Sequence, residues 1–263
     1  MPYIQRNDVT IHYESIGHGS PIVFLHALSL NRYAWVHQLF AFARTHRVLV
    51  IDHRGHGLSD KPAAGYAIGE MAADLLAVLD HAGINTAILV GCSVGSMIAV
   101  QAALDAPERV VAMMLVSCAT NLSPHVPRVV VEAYEQRFDA AFNYMIQGST
   151  SEATKRLRPE VSAFLSDAYR ASDSFSRDVF VSCMRDLNGV FNWNVATRLK
   201  EIRQAVLVVA GQEDQTMPFE AMRMLATSIP GAEFKMVPAV GHYYPLERPC
   251  DFNDDLRAFL GRL

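Results

Sequence analysis

The sequence has no C-x-x-C pair, no apolar run of about 18 or more residues and no block of like charge, and each absence closes off a class of function. Its four cysteines, Cys92, Cys118, Cys183 and Cys250, are scattered through 263 residues. That gives neither zinc-ligand spacing nor the dense framework of a disulfide-stapled domain. With 23 Lys and Arg against 27 Asp and Glu, the formal charge is −4, and no basic stripe is interleaved with aromatics. Nucleic acid and anionic membranes are therefore not expected partners. The start, Met1 to Gly17, lacks the basic and apolar segments of a secretion signal, so the expected setting is the cytoplasm. Gly55 and Gly57 lack G-x-G-x-x-G spacing and there is no P-loop, so no cofactor is implied. No metal is expected either. His53 and His56 find no third and fourth ligand at sensible spacing.

What is present is a rhythm of strands and helices. Val9 to Glu14 alternates apolar and polar residues, as a half-buried strand does. Short continuous apolar runs at Pro21–Leu25, Arg47–Ile51, Ala87–Val90 and Val111–Val116 suit central strands covered on both faces. Between them, residues 67–82 place Ile68, Met71, Leu75, Leu76 and Leu79 on one helical stripe. The pattern predicts an α/β fold with right-handed crossovers. From about 121 to 199 the chain turns helical, with breaks at Pro124, Pro127, Gly148 and Pro159. A strand at Ala205–Ala210, a helix near 219–228, a strand near 233–238 and a helix near 250–262 complete it. The expected division is a core of residues 1–120 and 201–263, with 121–200 as a helical lid within the same domain.

The sharpest chemical signal is Gly91-Cys92-Ser93-Val94-Gly95, a G-x-S-x-G sequence between a predicted strand and a predicted helix. A serine on so tight a turn needs small neighbours, and the helix N-terminus behind it offers N–H groups to an oxyanion. A hydroxyl is a weak nucleophile at neutral pH and needs a base. Among ten histidines, His242 stands out because it lies between the last predicted strand and the last helix. His12, His18, His37, His46, His81 and His125 have no such context. An acid must orient that base, and Asp214, with Glu213 as its neighbour and competitor, follows the strand at 205–210.

With these motifs in order, the chain resembles the α/β-hydrolase superfamily from near Tyr3 to the C-terminus. Phe24-Leu25-His26-Ala27-Leu28 is similar to the family's oxyanion segment, with Trp35 behind it. Asp52-His53-Arg54-Gly55-His56-Gly57-Leu58-Ser59 is similar to its D-x-R-G-x-G-x-S turn, and Gly241-His242 to Pro249 to its final histidine block. Two positions depart from the pattern: Ala27 replaces a more frequent glycine, and Cys92 stands where histidine is common. The resemblance implies a mostly parallel eight-stranded sheet flanked by helices, with the lid after the sixth strand. It also implies a Ser93–His242–Asp214 triad, with Asp214 favoured over Glu213, and oxyanion donors at the N–H groups of Leu28 and Val94. Cys92 is expected to face away from the pocket, because successive side chains at a strand end alternate.

The expected reaction is hydrolysis of a small carboxylic ester or lactone through an acyl-enzyme on Ser93. The lean towards that class comes from a layout similar to 3-oxoadipate enol-lactonases and carboxylesterases. Two other readings remain: a carbon–carbon bond hydrolase of ring-cleavage products, and a ligand-sensing protein that retains the triad. Trp193, Phe142 and Tyr144 are the candidate pocket residues. Met145, Phe164, Tyr169, Phe180, Met184 and Phe191 form a wider apolar set around them. Lys155, Arg156 and Arg158 are weighed as receivers of a substrate carboxylate against the commoner reading of a solvated helix face.

Overall fold

The computed structural model describes residues 2–122, 128–170, 176–186 and 189–263, with backbone alone for 168–170. Pro124, His125, Pro127 and the Tyr169 side chain thus lie outside the described residues. The strands are β1 (Tyr3–Arg6), β2 (Val9–Ile16), β3 (Pro21–Leu25), β4 (Arg47–Ile51), β5 (Ala87–Cys92), β6 (Val110–Val116), β7 (Ala205–Gly211) and β8 (Glu233–Val237). Among the described residues they form one eight-stranded sheet in the order β1-β2-β4-β3-β5-β6-β7-β8. Only the pairs β1/β2 and β2/β4 are antiparallel. The apolar runs sit where the sequence puts them. All six residues of β5 are buried, as a strand covered by helices on both faces requires.

The covering helices are α1 (Val36–Phe42), α2 (Ile68–His81), α3 (Val94–Asp105), α9 (Phe219–Ser228), α10 (Tyr244–Glu247) and α11 (Pro249–Leu260). On α2 the predicted stripe buries Ile68, Met71, Leu75 and Leu79, while Leu76 is half-buried and Val78 takes part instead. Helix α3 is buried almost all round, so it runs through the core rather than over it. Trp35 packs against Phe24 and Phe252 with ring centroids 5.0 and 5.9 Å apart. Between β6 and β7 the chain inserts α4 (Arg128–Gln136), α5 (Phe138–Ser149), α6 (Glu152–Leu157), α7 (Pro159–Arg170) and α8 (Arg177–Arg185). At the far edge of the sheet, β8 exposes Glu233, Lys235 and Met236. No helix among the described residues is long and apolar enough to cross a membrane.

Parallel strands present their carboxyl ends to one side, and in sheets of this kind ligand sites form there. Here those ends carry Ser93 after β5, Asp214 after β7 and His242 after β8.

Candidate active site

Ser93 has φ 54° and ψ −117°, a left-handed backbone that a non-glycine residue adopts only where its surroundings over-determine it. The surroundings do so here. The Ser93 N–H donates to the Val116 carbonyl at 2.8 Å. A Cβ at Gly95 would overlap the Leu25 carbonyl, and one at Gly91 would overlap the Ser96 N–H. The turn closes this tightly only because both flanking positions lack side chains. Val94 opens α3, so its N–H has no intrahelical acceptor.

Asp214 Oδ2 accepts from His242 Nδ1 at 2.9 Å, and its Oδ1 accepts from the N–H groups of Thr216 and Met217 at 2.8 and 2.9 Å. Both carboxylate oxygens are thus committed, which fixes the plane that orients the imidazole. Glu213 faces elsewhere, accepting from the Glu152 N–H at 2.9 Å, so the structure brings Asp214 rather than Glu213 to His242. Cys92 is buried with its thiol 3.7 Å from the His242 carbonyl, and burial pushes that thiol well above its ordinary pKa. It therefore lies behind the nucleophile turn as a neutral packing group.

The segment before α1 is set by histidines. The His53 N–H donates to His26 Nε2 at 3.1 Å, which leaves the ring hydrogen on Nδ1, and that nitrogen donates to the Ala27 carbonyl at 2.8 Å. A trans peptide points its C=O and N–H in opposite directions. Holding the Ala27 oxygen against His26 therefore turns the Leu28 N–H the other way, and Leu28 lines the cavity beside Ser93. The Ser29 N–H donates to His56 Nε2 at 3.3 Å. Burial lowers the pKa of His26 and His53 well below the ordinary value and that of His56 to about 4. All three stay neutral at pH 7, and each hydrogen-bonds to backbone groups. Asp52 accepts from Arg32 Nη1 at 2.7 Å, the Arg32 N–H at 2.8 Å and the Leu58 N–H at 3.0 Å, so the D-x-R-G turn acts as a buttress under this loop.

Ser93 and His242 open onto one cavity of about 110 Å³ whose other walls are mostly apolar. Leu28, Met217 and Tyr243 come from the sheet end, while Leu122, Val130, Tyr134, Met145, Phe180, Met184, Val190 and Phe191 come from the insertion. Burial raises the Tyr134 phenol to about 12, so it is neutral across the working range. Among the described residues, no Lys, Arg, Asp or Glu lines the cavity.

Of the residues expected to line the pocket, Met145, Phe180, Met184 and Phe191 do so. Trp193, Phe142 and Tyr144 do not, and each for a different reason. Trp193 is turned onto α3, donating from Nε1 to Gln101 Oε1 at 2.8 Å. Phe142 is buried inside the insertion, stacked on Phe138 at 5.5 Å and edge-on to Phe180 at 5.8 Å. Tyr144 is 80% exposed. Phe164 lines a separate shallow groove with Tyr33 and Val36. The basic residues also lie elsewhere. Lys155 pairs with Glu152 at 2.7 Å, Arg156 is exposed, and Arg158 donates to the Leu246 and Glu247 carbonyls at 3.0 and 3.1 Å. Leu122, Val130, Tyr134, Val190, Thr216, Met217 and Tyr243 carry no mark of their own in the sequence. The last three lie beside Asp214 and His242 in the chain, a proximity that could have marked them.

Comparison with known proteins agrees with this geometry. A structure described as Est816, an N-acyl homoserine lactone degrading enzyme, is 44% identical, with a TM-score of 0.96 over 98% of this chain and 100% of that one. A thermophilic esterase from Thermogutta terrifontis is 25% identical, with a TM-score of 0.82 over 97% of this chain and 94% of that one. A putative carbamate hydrolase RutD from Azorhizobium caulinodans is 28% identical, over 100% of this chain and 99% of its own length. The sequence model of the alpha/beta hydrolase fold matches residues 20–249, and with Ser93, Asp214 and His242 all following strands at one end of the sheet, the chain belongs to the α/β-hydrolase family.

Proposed function

We propose that the chain is a serine hydrolase that opens a carboxylic ester or lactone through an acyl-enzyme on Ser93, and that it prefers an uncharged, apolar acyl group. The observation that carries this is the His242–Asp214 pair at 2.9 Å, with His242 and a strained Ser93 lining the same apolar cavity. In the first step His242 Nε2 takes the Ser93 proton as Oγ attacks the carbonyl, while the Leu28 and Val94 N–H groups receive the oxyanion. The imidazolium then protonates the leaving alkoxide. In the second step the same ring deprotonates water, which attacks the acyl-enzyme and returns Ser93 to its hydroxyl form.

The cavity supports the acyl preference. Met145, Met184 and Met217 supply pliable walls, and with no cation among the described lining residues a substrate carboxylate would be buried unpaired against them, which is costly. That argues against carboxylated ring-cleavage products and against a small polar carbamate. It favours esters and lactones bearing an alkyl chain; the 44% identical neighbour is described as degrading N-acyl homoserine lactones. The helical insertion serves as the lid over this chain.

The test is a series of p-nitrophenyl esters and N-acyl lactones of rising acyl length. Burial of each methylene is worth about 0.8 kcal/mol, so kcat/KM should rise roughly fourfold per added carbon until the cavity is full. Multiple turnovers are expected, and Ser93→Ala should abolish them while leaving the fold intact. Turnover retained in Ser93→Ala, or a single stoichiometric event with wild type, would refute the reading.

A further inference from the structure

The C-terminal end of α5 touches both loops that hold Asp214 and His242. The Gly148 carbonyl accepts from the Gln215 N–H at 3.3 Å, and Ser149 Oγ lies 2.8 Å from Thr216 Oγ1. On the other side, the Ser149 carbonyl accepts from the N–H of His242 itself at 2.7 Å. The N–H groups on either side of His242 go to a single atom. Gly241 and Tyr243 both donate to Glu247 Oε1, at 3.0 and 3.2 Å. The second oxygen of Glu247 accepts from the Ser151 N–H at 2.9 Å and from Thr154 Oγ1 at 2.8 Å.

Glu247 is 2% exposed. One of its oxygens belongs to the His242 loop and the other to the insertion, and these four donors are all uncharged. Hydrogen bonds to an ionised acceptor are the strong kind, so the carboxylate acts as a rivet between two segments that are otherwise distant in the chain. Three successive N–H groups, at 241, 242 and 243, are held by partners that depend on residues 149–154. Gly241 allows that approach, since a Cβ there would come within 2.5 Å of the Ser149 carbonyl.

We propose that Glu247 is a positioning residue through which the insertion sets the reach of His242. Seating residues 149–154 on Glu247 and on the His242 N–H fixes the base in line with Ser93, and lifting them releases it. The proposal rests on the assignment of His242 as the base. Glu247 is not among the residues lining the cavity, so its effect falls on kcat and not on KM.

Two variants test it from the two sides. Thr154→Val removes one donor on the insertion side, and Glu247→Gln replaces one accepting oxygen with a donor. Both are assayed on p-nitrophenyl butyrate per folded protein, with the rate of Ser93 labelling by a fluorophosphonate as a second readout. Small misplacements of a reacting group cost up to about a hundredfold. Thr154→Val should lower kcat about threefold to tenfold and Glu247→Gln about tenfold to a hundredfold, with labelling slowed in parallel and KM within about twofold. Glu247→Asp, which keeps both acceptors, should recover part of the loss. Wild-type kcat in both variants, or a change confined to KM, overturns the proposal. If Glu247→Gln does not fold, Thr154→Val decides alone. Ser93→Ala and His242→Ala separate the two levels: activity in either defeats the acyl-enzyme reading, whereas inactivity in both beside unaffected Thr154→Val and Glu247→Gln defeats only the role of Glu247.

Discussion

The sheet end and the helical insertion face each other across one cavity, and they are built differently. Every residue of β5 is buried and α3 is covered almost all round. In the insertion, α4 buries Val131 and Tyr134 while Val129 is 64% exposed and Val130 38%. The sheet end is over-determined: glycines without room for a Cβ, a carboxylate with both oxygens engaged and neutral histidines locked to backbone. The insertion instead lines the cavity with apolar side chains, Met145 and Met184 among them. On the proposed acyl-enzyme reading, chemistry belongs to the sheet end and choice of substrate mostly to the insertion. A change at the sheet end, or at the Glu247 contact that supports it, should slow every substrate alike, and a change in an insertion side chain that lines the cavity should reorder them.

The largest expected effect is at the acid. Asp214→Asn keeps an oxygen to accept from the two N–H groups of Thr216 and Met217 but loses the charge that orients His242, so kcat should fall about 10²–10⁴-fold, and by the same factor for short and long esters. A loss that varied with acyl length would break the division between the walls.

Next in size is an acid limit on stability that belongs to the sheet end. His26, His53 and His56 have folded pKa values below the unfolded value near 6.5, because burial disfavours the charged ring. As the pH falls below about 6.5 the unfolded chain binds protons that the folded one refuses. The stability from these groups is whole above that pH and is lost progressively towards about 4, the value for His56. Urea midpoints should drop across this window. His56→Gln should flatten the slope by up to one proton, about 1.4 kcal/mol per pH unit.

On the opposite wall, Met184→Ala should leave hydrolysis of an acetyl ester within about twofold. It should change kcat/KM for octanoyl esters about tenfold or less, as expected for one buried apolar side chain. The smallest effect is a labelling pattern. Cys92, Cys118 and Cys183 are buried and Cys250 is exposed, and burial pushes the first three thiols upward. A thiol reagent should modify one site in the native enzyme and leave activity intact.

The same contrast explains what could be read from the sequence. The turn at Gly91–Gly95 announces itself because its constraint is local: a few positions must be small, and they are. Strand runs are legible because both faces of a parallel sheet are covered, leaving no ambiguity of side. Asp214 and Glu213 are adjacent and chemically alike, and only the exit geometry of β7 decides which one turns to His242. The insertion is harder. Phe142, Phe180 and Tyr134 all lie on apolar helix faces, but such a face can meet another helix or the cavity, and periodicity does not tell the two apart. Phe142 meets Phe138, Phe180 meets both, and Tyr134 reaches the cavity. The clamp at Glu247 depends on residues about 95 positions apart, a distance at which one sequence carries no visible pattern.

The far strand of the sheet has one more consequence. β8 is the edge that leads the chain to His242, and an edge strand offers unpaired backbone groups to any neighbouring molecule. Here Glu233 pairs with Arg262 at 3.0 Å and Lys235 with Asp255, so ionic side chains crowd the margin where a second sheet would have to zip on. Replacing both with valine would turn that margin into an adhesive ribbon, and the enzyme would be lost to fibrous self-association rather than to any fault in its chemistry.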